Sequence, residues 1–336
     1  MRPALLACLA LSLASLAPAA LAQTPPAAPA AETIRDIDTV VVSGVQPGPG
    51  MWKVSRGEHV LWILGTLSPI PKNMRWLSRD VEATIAQSQE VLEPPSASIG
   101  TDLGMFRSML LIPSALKARR NPDDKTLREV VPAELYARWL PLKARYIGSD
   151  RGVEKWRPVF AAQELYEAAM RRSDLSLKGV VWPVVERSAK QHKVKITSSK
   201  VEVKIKDPKT ALKDFANTTL SDTDCFAKTL SRIESDIETM RARANAWAIG
   251  DIEALRALPQ GDQYEVCLRA VTASGAAQRL GFGDLRERVV QSWLSSADRA
   301  LLSNRTSFAS LPIAELLKPD GYLARLQARG YTVEAP

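Results

Sequence analysis

Histidine is nearly missing: the 336 residues contain two, His59 and His192. A chain this poor in imidazole has few neutral nitrogen ligands and few side chains that titrate near neutrality. Cysteine is scarce as well. Of three, Cys8 sits in an N-terminal apolar run, which leaves Cys225 and Cys267, too few for a thiolate zinc site. Beyond residue 22 no stretch reaches the roughly 18 uninterrupted apolar residues of a membrane helix. There is no G-x-S-x-G elbow to present a nucleophile. The eight tryptophans are too dispersed to form a carbohydrate platform in sequence.

What is present begins with a leader. Arg2 precedes an apolar run from Ala4 to Leu16, and Ala20-Leu21-Ala22 closes it before Gln23. This is the pattern of a secretory signal peptide over residues 1–22 with a small-residue cleavage site. Cys8 lies too early in the run to carry a lipid anchor. The expectation is a periplasmic or secreted protein without a transmembrane segment. Its net charge of +8 falls by one when Arg2 leaves, since the leader holds no acid. Such a balance permits attraction to anionic polymers or lipid head groups, but no motif that reads nucleic acid accompanies it.

Residues 23–38 are Ala/Pro-rich and read as a disordered linker. A single domain is expected over 39–336, opening on a short strand at Thr39–Val42. Met51–Ser55 and His59–Leu64 read as a hairpin around Arg56-Gly57-Glu58. The helix Leu77–Gln87 and the short strand Glu90–Glu93 follow, a strand-helix-strand order that implies a parallel crossover. From Leu103 to about Arg172 the pattern is helical, with Pro132 and Pro158 in first-turn positions. Val181–Ala189 reads as a further helix.

Lys193–Thr197 and Val201–Lys206 alternate lysine with Val194, Ile196, Val201, Val203 and Ile205, which predicts a hairpin turning at Ser198-Ser199. Its outward lysines would protect an edge or bind an anionic polysaccharide or lipid. Phe226, Leu230, Ile233, Ile237, Met240, Ala244 and Trp247 recur at spacings of three and four and predict one long helix. Gly250 ends it, and Asp251 caps the next. Helices over 262–280 and 284–301 follow, and a strand-helix-strand unit closes the chain at Tyr331–Glu334.

In an oxidising compartment the two remaining cysteines are expected to pair. A helix of roughly 24 residues spans about 36 Å, and the roughly 17 residues from Gly250 to Cys267 can extend about 50 Å, so Cys225 and Cys267 can meet.

With these elements in place, the sequence resembles the TraB/PrgY/GumN family, whose animal relatives include TIKI-type metalloproteases. The resemblance runs in order through Met51-Trp52-Lys53-Val54, Leu61 to Thr66, Glu90 to Glu93, Ala246-Trp247-Ala248-Ile249-Gly250-Asp251, and Gly321 to Val333. It implies an α/β fold with a small mixed sheet, an N-terminal hairpin and a large helical insertion. It also implies two G-x-x-H motifs that bind a divalent metal with nearby glutamates. Here the first reads Gly65-Thr66-Leu67-Ser68, and the second region reads Ser310-Leu311-Pro312-Ile313-Ala314-Glu315. Both histidines are gone, and a serine hydroxyl is a poor substitute for imidazole. His59 and His192 read as surface residues.

Four side chains remain as candidates. Glu93 ends its strand where the family has an acid, and could act as a residual ligand or base, or bond loop amides. Glu315 could add a carboxylate, or serve as a first-turn helix acid. Arg305, after Asn304, could orient a carboxylate or bind an anion, or form a structural ion pair. Ser68 could be a nucleophile only with a base and an oxyanion site in reach. The leading expectation is a catalytically degenerate, cofactor-free family member that binds envelope polysaccharide or protein. The rival is a hydrolase with a carboxylate site around Glu93 and Glu315 holding a divalent metal such as manganese, since oxygen ligands suit such ions. The third is the lysine-rich binder of anionic polysaccharide or lipid.

Overall fold

The computed structural model describes Gly48, residues 50–259 and residues 261–336. The leader, the linker and the strand expected at Thr39–Val42 lie outside the described residues. Ten strands occur among those described: β1 (Met51–Arg56), β2 (His59–Thr66), β3 (Ile70–Pro71), β4 (Glu90–Leu92), β5 (Ala97–Thr101), β6 (Leu175–Ser176), β7 (Lys195–Thr197), β8 (Val201–Ile205), β9 (Thr306–Pro312) and β10 (Thr332–Glu334). Six of them form one mixed sheet in the order β10-β1-β2-β9-β4-β7.

The hairpin of β1 and β2 is present, and Gly57 at its turn has φ +60°, a conformation that a Cβ disfavours. β10 adds antiparallel to β1, whereas β2, β9, β4 and β7 run parallel. The crossover from β2 through helix Arg79–Ala86 to β4 is therefore present, with β9 inserted between its strands. β9 is buried without interruption from Ser307 to Leu311, the pattern of a central parallel strand covered on both faces. Helix Leu285–Ser303 packs along β2, β4 and β9, while helices Arg79–Ala86 and Val181–Gln191 pack on each other beside β9 and β7.

The lysine-rich hairpin is not formed. β7 pairs with β4, and β8 pairs with β5 in a separate two-stranded sheet, both in parallel. The two chain segments thus run side by side, and their ladder is interrupted where Pro94-Pro95 supplies no backbone N–H. The apolar residues predicted to share one face are divided, Ile196 on β7 and Val201, Val203 and Ile205 on β8, with Val194 just ahead of β7. Lysines do guard the edge: Lys195 on β7 is exposed and pairs with Glu90.

The predicted long helix is also divided, into Thr223–Ser235 and Ile237–Ala248, at Asp236. The break lets one apolar seam serve two cores. Phe226, Leu230, Ile233 and Met240 pack with Leu127, Trp139 and Leu165 of the helical insertion. Ala244 and Trp247 pack with Trp52, Trp293 and the sheet. The helix expected over 262–280 likewise splits into Gln263–Thr272 and Gly275–Arg279, where the Ser274 side chain accepts from the Ala277 amide and starts a new helix. Gly250 and the Asp251 cap are as predicted.

Cys225 and Cys267 are bonded, with their Cα atoms 4.6 Å apart across 42 residues of sequence. The bond joins the start of helix Thr223–Ser235 to helix Gln263–Thr272 beside Val159 and Ala270. A loop of this size restricts the unfolded chain enough to add about 3–4 kcal/mol. Reduction, or Cys267→Ser, is expected to lower stability by that amount in denaturant titrations. An unchanged midpoint under reductant would contradict it.

Candidate functional site

In a parallel sheet, chemistry gathers where the strands end, because there the backbone turns and side chains leave the core. The two edges of this sheet differ sharply. At the amino ends, Glu90 is buried and held from three sides. Thr197 donates its hydroxyl to one carboxylate oxygen, Lys195 lies 3.2 Å from the same oxygen, and Asn304 donates to the other at 2.9 Å. Asn304 also reaches Ser307 at 3.2 Å, and its carbonyl lies 2.7 Å from His59 Nδ1. Burial pushes the Glu90 carboxyl up, but these hydrogen bonds and the Lys195 charge outweigh it and leave the group below its usual range.

Because the folded state prefers Glu90 ionised, its contribution is full above the unfolded pKa of about 4.3 and is lost as pH falls through the folded value. Glu90→Gln is therefore expected to lower stability by about 1–2 kcal/mol at neutral pH. The gap from wild type should close in acid. A gap that stays constant between pH 7 and pH 3 would contradict this account of Glu90.

Arg305 lies on this amino side, immediately before β9. Its side chain is exposed and pairs at 3.4 Å with Glu58, itself exposed, in the hairpin turn. The residue that orients a carboxylate is its neighbour Asn304. The Asn-Arg pair was visible in sequence, but only the register of β9 against β4, which sets Ser307 opposite Glu90, tells which member turns inward.

Ser68, Glu93 and Glu315 follow the carboxyl ends of β2, β4 and β9. Ser68 lies two residues past Thr66 and Glu315 three past Pro312, the paired last residues of the adjacent parallel strands β2 and β9. Their environments are unlike. Ser68 is exposed, and its hydroxyl donates to the Leu177 carbonyl at 3.0 Å. Glu315 sits in the first turn of helix Ile313–Leu316 and is bound by Lys318 at 2.7 Å and Arg286 at 3.6 Å. Lys318 also bonds Glu265. Burial lowers the Lys318 pKa, yet the two carboxylates raise it overall, and the Lys318 hydrogen bond holds Glu265 low. Glu93 is half-buried, and its carboxylate makes no hydrogen bond or ion pair among the described residues. The loop amides do not engage it.

Between these positions the mouth is filled by apolar side chains. Trp247 is fully buried and donates its indole N–H to the Gly65 carbonyl at 3.0 Å. Trp293, also fully buried, donates to the Glu93 carbonyl at 3.2 Å. Ile313 closes over Gly65 so tightly that a Cβ there would lie 2.5 Å from Ile313 Cδ1 and 3.2 Å from Trp52. Two strand-end carbonyls that would otherwise face a ligand or water are thus satisfied by protein. The sequence held the Trp247 signal in Ala246-Trp247-Ala248, but nothing in it announced a 182-residue contact to Gly65.

Beside Glu315 a cleft of about 250 Å³ opens between helices Leu285–Ser303 and Tyr322–Ala328. Arg286, Lys318, Arg325, Glu287 and Glu315 line it with opposed charges that pair across it, and Arg325 meets Glu287 at 2.7 Å. Tyr322 forms part of the wall, its hydroxyl pushed far up by burial and the Glu315 charge.

A mostly parallel sheet with helices on its faces and a hairpin at one side places the chain among α/β proteins. The chain belongs to the TraB/PrgY/gumN family, whose sequence model matches residues 50–335. Comparison with curated proteins gives no match, and comparison with solved structures gives none either.

The metal that family resemblance implies can be tested against the side chains in place. Among the described residues no group of three or more His, Cys, Asp and Glu lies close enough to hold an ion. Ser68 is turned to a carbonyl, Glu315 is neutralised by two cations, and Glu93 stands alone. The two histidines are fixed elsewhere, His59 at Asn304 and His192 at the Ser188 carbonyl of its own helix. This donor set does not fit a divalent metal.

Proposed function

We propose that this protein is an exported, catalytically degenerate member of its family that acts by binding in the cell envelope, to polysaccharide or to protein, without a metal. The observation that carries the reading is the closed mouth. Trp247 and Trp293 satisfy the backbone at the ends of β2 and β4, while Ser68 is taken up by the Leu177 carbonyl and Glu315 by Lys318 and Arg286. Nucleophilic use of Ser68 lacks a base, since its hydroxyl partner is a backbone carbonyl. The cleft beside Glu315 offers a polar ligand a surface whose charges are already held in place by their pairing.

The export reading rests on the leader and on the Cys225–Cys267 bond, which belongs to an oxidising compartment. A peptidase and esterase screen in manganese or cobalt is the test. No turnover is expected, and none should appear in Glu93→Ala or Glu315→Ala. Turnover by the wild type that Glu93→Ala abolishes would overturn the reading in favour of a carboxylate-based hydrolase.

A further inference from the structure

The least explained surface of the molecule lies on the two helices that follow β5. Helices Met105–Met109 and Ile112–Ala118 expose Phe106 at 85%, Met109 at 59%, Leu110 at 77%, Ile112 at 51% and Leu116 at 49%. Phe106, Met109 and Leu110 stand at i, i+3 and i+4, and Ile112 and Leu116 at i and i+4. These are the spacings by which a helix presents one apolar stripe. Here all five side chains face solvent, and large exposed apolar patches on soluble chains mark interaction sites.

Within the segment itself the charge has one sign, although Asp102, Asp123 and Asp124 flank it. From Leu103 to Pro122 there is no acid, and the segment carries Arg107, Lys117, Arg119 and Arg120. Arg119 stacks over the Trp156 ring at 3.5 Å. Arg107, Lys117 and Arg120 are exposed and have no ion-pair partner among the described residues. This contrasts with the cations of the Glu315 cleft, each of which meets a carboxylate. Helix Ile112–Ala118 packs on helix Pro208–Asn217, which carries exposed Lys209 and Lys213 beside one exposed acid, Asp214.

We propose that these two helices dock the protein peripherally on an anionic lipid surface, with Phe106, Met109, Leu110, Ile112 and Leu116 entering the interface and Arg107, Lys117 and Arg120 meeting the phosphates. Long apolar side chains on one face with unpaired cations beside them are the two elements that interfacial helices combine. The flexible stems of Lys and Arg let the charged heads stay at phosphate level while the apolar stripe goes deeper. The docking residues include none of the strand-end candidates, and the proposal does not depend on how that edge functions. The lysines between Lys193 and Lys206, divided between two sheets, are not part of it.

Vesicle flotation of the chain from Gln23 onward tests the proposal. Binding is expected to vesicles with about a third phosphatidylglycerol, to weaken severalfold on raising salt, and to be far weaker on pure phosphatidylcholine. The double variant Phe106→Ser with Leu110→Ser should reduce the bound fraction about tenfold with an unchanged melting temperature, because both side chains are exposed. The triple variant Arg107→Gln, Lys117→Gln, Arg120→Gln should bind more weakly and lose most of the salt dependence. Absence of binding to anionic vesicles, or equal binding by the double variant, would overturn the proposal. Self-association that the double variant abolishes, without any lipid binding, would assign the patch to a second copy of the chain instead.

Discussion

Replacing Arg157 with methionine is expected to remove about 3–5 kcal/mol of stability, among the largest effects of any single substitution in the helical insertion. Arg157 is 2% exposed and ties four carbonyls together. Its Nε donates to Arg120 at 3.1 Å, Nη1 to Thr218 at 2.6 Å, and Nη2 to Phe215 at 3.1 Å and Ala216 at 2.6 Å. Methionine has a similar length and no donors, so the substitution keeps volume while leaving these carbonyls without their partner. It also deprives Asp222 of the one cation that favours its ionised form. Burial already holds that carboxyl above its ordinary value, against the hydrogen bond from the Val159 amide and the Arg157 charge.

The sign of the pH effect follows. An acid whose folded pKa is raised contributes fully below its unfolded value, near 3.9, and that contribution is lost as pH rises through the folded value. Without Arg157 the loss is larger, so the deficit of Arg157→Met should shrink as pH falls from 7 toward 4. Asp222→Asn in the same chain should recover part of it at pH 7. A deficit below about 1 kcal/mol by denaturant titration, or one that grows in acid, would contradict the role given to Arg157.

The second large effect belongs to the sheet mouth. Trp247→Ala is expected to cost about 3–5 kcal/mol, since it empties a fully buried indole volume between the sheet and helix Ile237–Ala248. The indole also meets Trp76 edge-on at 5.9 Å between centroids, a geometry that adds to simple burial. Trp247→Phe separates the terms. It keeps most of the apolar contact but leaves the Gly65 carbonyl without its donor, for an expected loss of about 1–3 kcal/mol. If Trp247→Ala were nearly neutral, the mouth would be an open site rather than part of the core, and the binding-protein reading would lose its main support.

Much of the architecture was legible because it is local. The hairpin around Gly57, the crossover helix, the Gly250 stop with its Asp251 cap and the closing strand all follow from periodicity and turn chemistry within a few residues. The elements that sequence misjudged are those where tertiary packing decides. Alternation in Lys193–Lys206 fits a hairpin as well as two parallel strands, and only the neighbouring β4-Pro94-Pro95-β5 segment selects the latter. The seam from Phe226 to Trp247 has unbroken helical spacing, yet Asp236 divides it so that each half can face a different core.

The candidate site divides the same way. That Glu93 follows a short strand is local information, whereas that Ser68 and Glu315 leave neighbouring strands depends on β9 pairing with β2 from far along the chain. That Arg305 lies at the opposite edge, that Asn304 holds Glu90, and that two tryptophans seal the strand ends depend on contacts between residues far apart in the chain. The exposed stripe at Phe106 to Leu116 had a sequence signal, an acid-free run of apolar residues and cations, which helical periodicity alone assigns to a core.

The central claim is that this scaffold persists without the metal that its family resemblance implies. Metal content of the purified chain, measured after equilibration with manganese and exhaustive dialysis, addresses it most directly. The account predicts far less than one ion per chain and no difference between the wild type and Glu93→Ala. One retained equivalent that disappears in Glu93→Ala would contradict it.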